Sequence, residues 1–156
     1  ADKVIFPGVG EASSAMEYLK ERGLDEMIKS ITQPFLGICL GLQLMCNKTE
    51  EGNTECLGIF DTEVKLFPSI DKVPHMGWNQ VQQSIDHPLW GSIAQDTRFY
   101  FVHSYYAELS AQTSAICLYD IPFSASLQKD NFYATQFHPE KSAGLGEKIL
   151  KNFLAL

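Results

Sequence analysis

A cysteine between two glycines, in the stretch PFLGICLGLQLM (residues 34–45), constrains the fold of this chain more than any other feature. The apolar residues before Cys39 predict a buried strand, and those after it have the spacing of a helix. A sharp turn from strand to helix strains the residue at the turn, and Gly37 and Gly41 remove side chains that would crowd it. The pattern is typical of a nucleophile on a tight strand-to-helix turn, with cysteine in place of serine.

The expected position of Cys39 also predicts its reactivity. At the N-terminus of a helix, the sulfur meets unpaired backbone N–H groups and the positive end of the helix dipole, and both favour the thiolate over the thiol. A buried structural cysteine in a glycine-rich turn is the alternative interpretation of the stretch taken alone.

A cysteine nucleophile needs a base within hydrogen-bond reach and usually a third group that orients the base. His138, in the motif QFHPE, precedes a proline and is therefore expected to have an extended backbone. Residues 138 and 140 of an extended segment project to the same side, so that Glu140 can hold the imidazole. The sequence thus predicts a triad of Cys39, His138 and Glu140, with a His-Pro-Glu surface turn as the alternative.

The other histidines have plainer interpretations. His87 lies in the polar turn SIDHPLW and is expected to be exposed. His75 and His103 lie in VPHMGWN and FVHSYY, where a structural role in a loop or at a strand end is expected.

An oxyanion hole would complete the site, because a thiolate that attacks a carbonyl produces an O⁻ that backbone N–H groups stabilise. The N–H of Leu40, directly after Cys39, is one expected donor. The other is expected from the glycine turn PGVG (residues 7–10), where Val9 or Gly10 is the candidate and a simple tight turn is the alternative. Together these parts predict acyl transfer at a carboxamide or ester through a thioester.

The order of strands and helices predicts an α/β fold. KVIF (residues 3–6) is expected to be a strand, EASSAMEYLKERG a helix, and LDEMIKSI a helical continuation. PFLGI then predicts a second strand and CLGLQLMCNK another helix, and two strand-helix units favour a parallel sheet. The second half is rich in β-strand residues, and AGLGEKILKNFLAL predicts a closing helix.

Composition disfavours several classes of function. The 156 residues are 45% hydrophobic and 20% charged, which is typical of one globular domain. The net charge of −7, without a basic cluster, disfavours nucleic-acid binding. No apolar run approaches the roughly 18 residues of a membrane span, and ADKVIFPGVG lacks the pattern of a secretory signal, so a cytoplasmic location is expected.

The four cysteines show no C-x-x-C pair, so the sequence suggests neither a zinc site nor a disulfide framework. Cys46 falls on the helix expected after Cys39, and Cys117 lies in the apolar stretch SAICLY. Both are expected to be small buried hydrophobes, and Cys56 an inert residue of a loop or strand edge.

Five segments, in this order, resemble the class I glutamine amidotransferases: PGVG, PFLGICLGLQLM, VPHMGWN, YFVHSY and QFHPEKS. GICLGLQ and FHPE mark the whole class, whereas PHMGWN and FVHSY resemble more narrowly the glutaminase subunits of imidazole glycerol phosphate synthases, which act in histidine biosynthesis. The resemblance extends over nearly the full chain. It implies a three-layer α/β fold, with a mainly parallel central sheet, a β-rich extension and Cys39 at the carboxyl end of its strand.

The resemblance also implies roles for individual residues. Cys39, His138 and Glu140 would form the catalytic triad that converts glutamine to glutamate and ammonia, without a metal or organic cofactor. Substrate glutamine would be held by the side chain of Gln43 and by backbone groups of two segments. These are Gly8 in PGVG and His103, Ser104 and Tyr105 in HSY.

A partner subunit is implied as well. In the family, ammonia passes into a (β/α)₈-barrel cyclase that makes imidazole glycerol phosphate and an aminoimidazole carboxamide ribonucleotide. Trp78 and Tyr100 fall where the family contacts this partner and guards ammonia entry, with aromatic core packing as their alternative. Family members begin with a further strand, helix and strand before the segment ADKVIFPGVG. We therefore expect residues 1–156 to be a single, N-terminally truncated domain of a longer protein.

Three other functions stay open at this point. The nearest is the glutaminase component of anthranilate, aminodeoxychorismate or GMP synthesis, against which PHMGWN argues. A free-standing cysteine hydrolase of γ-glutamyl bonds is the second. The third is a non-catalytic binding module of the same fold, which would be indicated by a missing triad member, and none is missing.

Overall fold

A computed structural model describes residues 1–68 and 72–156. The strands are β1 (Val4–Gly8), β2 (Phe35–Cys39), β3 (Lys48–Thr49), β4 (Thr54–Glu55), β5 (Glu63–Leu66), β6 (His75–Gln83), β7 (Thr97–His103), β8 (Tyr105–Ala107), β9 (Thr113–Tyr119), β10 (Ile121–Lys129) and β11 (Phe132–Thr135). The α-helices are α1 (Ala12–Glu21), α2 (Leu24–Ser30), α3 (Leu40–Leu44) and α4 (Ala143–Leu154), and short 3-10 helices cover Glu51–Asn53, Pro88–Trp90 and Pro139–Lys141.

The α/β class is confirmed, but the expectation of a mainly parallel sheet is wrong. The seven-stranded sheet has the order β1-β2-β11-β10-β9-β6-β7, and among the described strands of this sheet only the pairs β1–β2 and β2–β11 are parallel. The other neighbouring pairs are antiparallel, and two of them, β9–β10 and β10–β11, are joined by tight turns with Asp120 and Asp130 at positive φ. The remaining strands form the β-rich extension, a small sheet of order β4-β3-β5-β8.

Helices pack on both faces of the large sheet, as the three-layer arrangement requires. Successive side chains of a strand point to opposite faces, so Phe35 and Leu36 of β2 enter different cores. The core of Phe35 contains Met16 from α1 and Leu42 from α3. The core of Leu36 is closed by α4, whose buried side chains include Phe153.

Helix α3 is shorter than the sequence pattern predicts. The expected helix over CLGLQLMCNK ends at Leu44 because the next carbonyls pair with another part of the chain. The carbonyl of Met45 accepts hydrogen bonds from the N–H groups of Ile59 and Phe60, and that of Cys46 accepts one from Gly58. Cys46 therefore follows α3 instead of lying on it.

The structure bears out most of the plainer expectations for cysteines and histidines. Cys46 and Cys117 are buried, and His75 and His103 stand at the start of β6 and the end of β7. His87 is only half-exposed, contrary to the prediction, because its Nδ1 accepts a 3.1 Å hydrogen bond from the N–H of Leu89. None of the helices in the described part of the chain is long and apolar enough to cross a membrane.

Candidate active site

Cys39 occupies the strained turn that the sequence predicts. It ends β2 and caps α3 with φ 55° and ψ −108°, a conformation that few residues other than glycine adopt. The two flanking glycines relieve crowding, but not around Cys39 itself. A Cβ at Gly41 would overlap the carbonyl oxygen of Phe6 on β1, and one at Gly37 would overlap Sδ of Met45. The glycines therefore let α3 pack directly against the sheet.

The carboxyl ends of β1 and β2 lie side by side, with Gly8 opposite Cys39. A pocket of about 370 Å³ opens there, and the end of β7 and the segment after β11 complete its wall. Every residue expected in the oxyanion hole or around the substrate lines this pocket. Its lining residues are Gly8, Val9, Gly10, Cys39, Leu40, Gln43, Glu51, Val102, His103, Ser104, Tyr105, His138 and Lys141.

His138 and Glu140 are paired, although not through the geometry that the sequence predicts. His138 is extended as expected, but the chain then enters the 3-10 helix Pro139–Lys141. Glu140 nevertheless reaches the ring, and its Oε1 lies 2.6 Å from Nδ1 of His138. The other ring nitrogen, Nε2, is buried and has no hydrogen-bond partner among residues 1–68 and 72–156.

The thiol of Cys39 is held in its neutral form, contrary to the expectation from its position. Burial raises the pKa of the Cys39 thiol to about 11 and outweighs the N–H of Leu40 and the side chain of Gln136, which lower it. A helix of only five residues is too short to reverse this cost. Sγ lies 3.9 Å from the carbonyl oxygen of Val102, and it makes no hydrogen bond with Nε2 of His138 within the described residues.

Hydrogen bonds fix the chain directly after the PGVG turn, at the start of α1, whereas the turn itself is open to the pocket. The Glu11 side chain accepts hydrogen bonds from the N–H groups of Ser13 and Ser14, and Glu51 accepts one from Ala12 at 2.7 Å. Val9 is 88% exposed. The N–H of Leu40 is the first of α3 and therefore has no carbonyl partner within that helix.

Sequence reasoning missed two residues of this site, Gln136 and Glu51. Gln136 is fully buried and places Nε2 3.6 Å from Sγ of Cys39. Its signal was present, because it stands two residues before His138 in QFHPE and shares a side with it in an extended segment. Glu51 is the only carboxylate in the described lining of the pocket. No motif around Glu51 marks it in the sequence.

Gln43 lies between the pocket and the protein interior. Its Nε2 donates to the carbonyl oxygen of Tyr105 and to Oε1 of Gln136, both at 2.9 Å. Both N–H groups of the amide are thus used within the protein. Its carbonyl oxygen is the group that remains for a ligand.

The Tyr105 carbonyl, which accepts from Gln43, also accepts from a chain of hydrogen bonds that runs through two histidines. Nδ1 of His103 lies 2.7 Å from that oxygen, and its Nε2 lies 3.0 Å from Nδ1 of His75. Asn79 donates to His75 Nε2 at 3.3 Å and to the carbonyl of Leu118 at 3.0 Å. Burial lowers the pKa of His75 to about 4 and that of His103 to about 3, so both rings are neutral at pH 7.

Trp78 and Tyr100 lie outside the pocket, on the face of the sheet formed by β6 and β7. They are cross-strand partners with ring centroids 6.1 Å apart. Trp78 is 49% exposed, which excludes core packing as its role. Met76 and Leu118 add exposed apolar side chains on neighbouring positions, and the carbonyl of Tyr100 accepts a hydrogen bond from the N–H of His138.

The chain is similar to proteins of known family over nearly its whole length. The family described as glutamine amidotransferase class-I matches residues 2–156. The imidazole glycerol phosphate synthase subunit HisH of Bacteroides fragilis is 59% identical over 159 residues, which cover 100% of this chain and 81% of the relative. The HisH subunit of Pasteurella multocida is 51% identical over 99% of this chain and 78% of its own length.

A solved structure supports the fold alone. A putative GMP synthase protein from Thermoplasma acidophilum superposes with a TM-score of 0.71 at 20% sequence identity. The match covers 99% of this chain and 71% of that one.

Proposed function

Because the chain belongs to the class I glutamine amidotransferases, we propose that it is the glutaminase subunit of an imidazole glycerol phosphate synthase, hydrolysing glutamine to glutamate and ammonia. One observation carries the proposal at the level of chemistry. A cysteine on a strained strand-to-helix turn shares one pocket with a histidine whose Nδ1 is bound to a carboxylate. Identity of 47–59% to HisH subunits along the chain supports this pathway over the other amidotransferases.

The reaction begins when His138 Nε2 takes the proton of the Cys39 thiol. The sulfur forms a bond to the carboxamide carbon of glutamine, and the carbonyl oxygen becomes an oxyanion. The C–N bond then breaks, the proton passes from His138 to the leaving nitrogen, and ammonia departs from a thioester. Water, activated by His138, attacks the thioester and releases glutamate and the thiol. The sum is glutamine plus water to glutamate plus ammonia.

Glu140 orients His138 throughout these steps. Its carboxylate accepts a hydrogen bond from the Nδ1–H group, which keeps the proton on Nδ1 and selects the ring tautomer whose free Nε2 can act as the base. The resting state keeps Cys39 as a thiol, so deprotonation accompanies substrate binding instead of preceding it. The absence of a direct bond between Sγ and Nε2 within the described residues agrees with catalytic contacts that shorten only when substrate is bound.

The oxyanion hole is formed by the N–H of Leu40 and a backbone N–H of the PGVG turn, from Val9 or Gly10. These donors line the same pocket as the sulfur and come from two parallel strand ends, so both can face one carbonyl oxygen. Gly8 adds backbone to the wall beside them.

Substrate glutamine carries opposite charges at its α-carbon, and the pocket offers a matching arrangement. Glu51 is placed to bind the α-ammonium group, since it is the only carboxylate in the described lining. The Gln43 carbonyl oxygen accepts a further hydrogen bond from the substrate. The backbone of His103, Ser104 and Tyr105, which also line the pocket, holds the α-carboxylate.

The apolar patch of exposed Met76, Trp78 and Leu118 with half-buried Tyr100 is the docking surface for the cyclase barrel. Aromatic and methionine side chains are enriched in protein interfaces. The patch is connected to the active site by a hydrogen bond, which the N–H of His138 donates to the carbonyl of Tyr100. Ammonia passes from the pocket toward that surface and on to the cyclase, in the cytoplasm.

Glutamate release from glutamine tests the proposal, measured for the protein alone and with the cyclase and its nucleotide ligand. We expect release that the cyclase stimulates and that Cys39→Ala abolishes. Equal, Cys39-dependent release with and without the cyclase would keep the glutaminase but reject this partner. No release from the well-folded protein under either condition would favour the non-catalytic binding module.

A further inference from the structure

The hydrogen bonds behind the pocket have a direction that their geometry determines. The Tyr105 carbonyl oxygen can only accept, so the atom of Gln43 facing it at 2.9 Å must be the amide nitrogen. The second N–H of that nitrogen points to Gln136, whose facing atom must then be Oε1. Gln136 therefore turns its own N–H groups toward the sulfur of Cys39.

We propose that Gln136 is a donor to the Cys39 sulfur that stabilises the thiolate and fixes the position of the nucleophile. The inference rests on the proposed role of Cys39. It assigns to Gln136 a function that the His138–Glu140 pair does not perform and that adds to the effect of the Leu40 N–H, which also lowers the pKa of the thiol.

The cost of ionising Cys39 gives this donor its importance. The sulfur is largely removed from water, and burial is what raises the pKa of the thiol to about 11. A hydrogen bond to the charged form of a group lowers this cost, and Gln136 acts in that direction. Since Gln136 is fully buried, no water competes with the sulfur for its N–H groups.

The amide cannot rotate away from the sulfur without a loss elsewhere. A flipped Gln136 would present its nitrogen to the nitrogen of Gln43, and two donors would face one another. A flipped Gln43 would in turn place its oxygen against the Tyr105 carbonyl. The orientation of the donor is thus held by Gln43, which also lines the substrate pocket, and through Tyr105 by the ring of His103.

Alkylation of Cys39 by iodoacetamide measures the thiolate directly, since only the thiolate reacts. The rate is followed from pH 6 to pH 10 by mass spectrometry of the Cys39 peptide, which separates it from the other cysteines. Two variants are compared. Gln136→Met keeps the side-chain volume without the donor, and Gln136→Asn keeps an amide that is one methylene too short to reach the sulfur.

We expect both variants to react about tenfold more slowly than the wild type at pH 8, with the whole pH profile displaced upward by about one unit. Ser126→Ala is the matched control. Ser126 is also fully buried and donates to the Ala134 carbonyl on β11, but it does not contact the sulfur. This variant should lose stability and keep the wild-type alkylation rate.

A wild-type rate in either Gln136 variant that folds would overturn the proposal, and so would an equal loss of rate in Ser126→Ala. If Gln136→Met does not fold, Gln136→Asn decides. The assay needs neither glutamine nor the cyclase. Slow alkylation in the variants of a protein that releases no glutamate would therefore reject the proposed function and leave this inference standing.

Discussion

Nδ1 of His138 lies 2.6 Å from Oε1 of Glu140, and the two residues are joined by one proline at the start of a 3-10 helix. The carboxylate is half-exposed, whereas the ring it holds is buried. Glu140 therefore holds the ring from the protein surface. The buried Nε2 is the ring nitrogen that remains to accept the proton of the Cys39 thiol.

Glu140→Ala should lower the turnover of glutamine about 100-fold, because the ring of His138 loses the contact that selects its tautomer. Steady-state glutamate release with the cyclase measures this. Glu147→Ala is the control, since it removes another exposed carboxylate, one that is paired with Lys151 on α4 and is not a lining residue of the pocket. Equal turnover in the two variants would remove Glu140 from the catalytic group.

Cys39→Ala should abolish glutamate formation and keep the fold. Alanine has the same Cβ, so the substitution adds no strain at φ 55° and removes only the sulfur. Circular dichroism establishes that the fold is retained. Cys56→Ala, at a half-buried cysteine outside the pocket lining, should keep normal turnover. Glutamate release by Cys39→Ala at a rate near that of the wild type would end the assignment of the nucleophile.

His138→Asn should cause a severe loss of turnover at neutral pH, because no group remains that can carry the proton from the thiol to the leaving nitrogen. His87→Asn is its matched control, since His87 is half-buried at the start of the 3-10 helix Pro88–Trp90 and does not line the pocket. Unchanged turnover in His138→Asn would show that another residue supplies the base.

Gly41→Ala should destabilise the protein by about 1–3 kcal/mol, because the new Cβ would overlap the Phe6 carbonyl and push α3 away from β1. Turnover should fall as well, since Cys39 begins that helix. Gly144→Ala is the control, because a Cβ there meets nothing within 4 Å and the residue lies in α4. Chemical denaturation of both variants tests this, and a stability loss in Gly144→Ala as large as that in Gly41→Ala would contradict the packing argument.

Trp78→Ala should weaken binding to the cyclase without lowering the thermal midpoint of this protein. The side chain is 49% exposed, so its removal costs little core burial, but it belongs to the proposed docking patch. Calorimetric titration with the cyclase provides the affinity. Met27→Ala removes a side chain of similar exposure from α2 and should leave the affinity unchanged. Equal affinities for Trp78→Ala and the wild type would move the docking surface elsewhere.

The parts of the site that are local in sequence could be predicted, and those that depend on distant contacts could not. The turn at Cys39 follows from glycines two residues away, and the pairing of His138 with Glu140 from a two-residue separation. Gln136 meets Cys39 across 97 positions, and its two-residue spacing from His138 is the one local signal of that contact. Glu51 meets Ala12 across 39 positions, and no pattern along the chain marks that contact. The antiparallel pairs of the large sheet could not be predicted for the same reason, since the pairing of each strand depends on residues that are distant along the chain.

The buried histidine pair should make the protein lose stability as the pH falls. In the unfolded chain His75 binds a proton below its ordinary pKa of 6.5, but in the folded protein it stays neutral until about pH 4. Between these values the unfolded state binds more protons, so the free energy of unfolding rises with pH, and His75 contributes about 1.4 kcal/mol per pH unit. His103, with a pKa of about 3, acts in the same direction to lower pH.

The histidine prediction is checked by the slope of stability against pH and not by stability itself, because His75→Asn also removes hydrogen bonds. Urea denaturation from pH 4.5 to pH 7.5 should give a slope that is shallower by about 1.4 kcal/mol per pH unit in His75→Asn than in the wild type, only below pH 6.5. His87→Asn should flatten the slope less, because burial lowers the pKa of the half-exposed His87 but the Asp86 carboxylate opposes it. A wild-type slope in His75→Asn would mean that the folded protein accepts the proton on this pair, and that the directed chain from Asn79 to the Tyr105 carbonyl is not maintained.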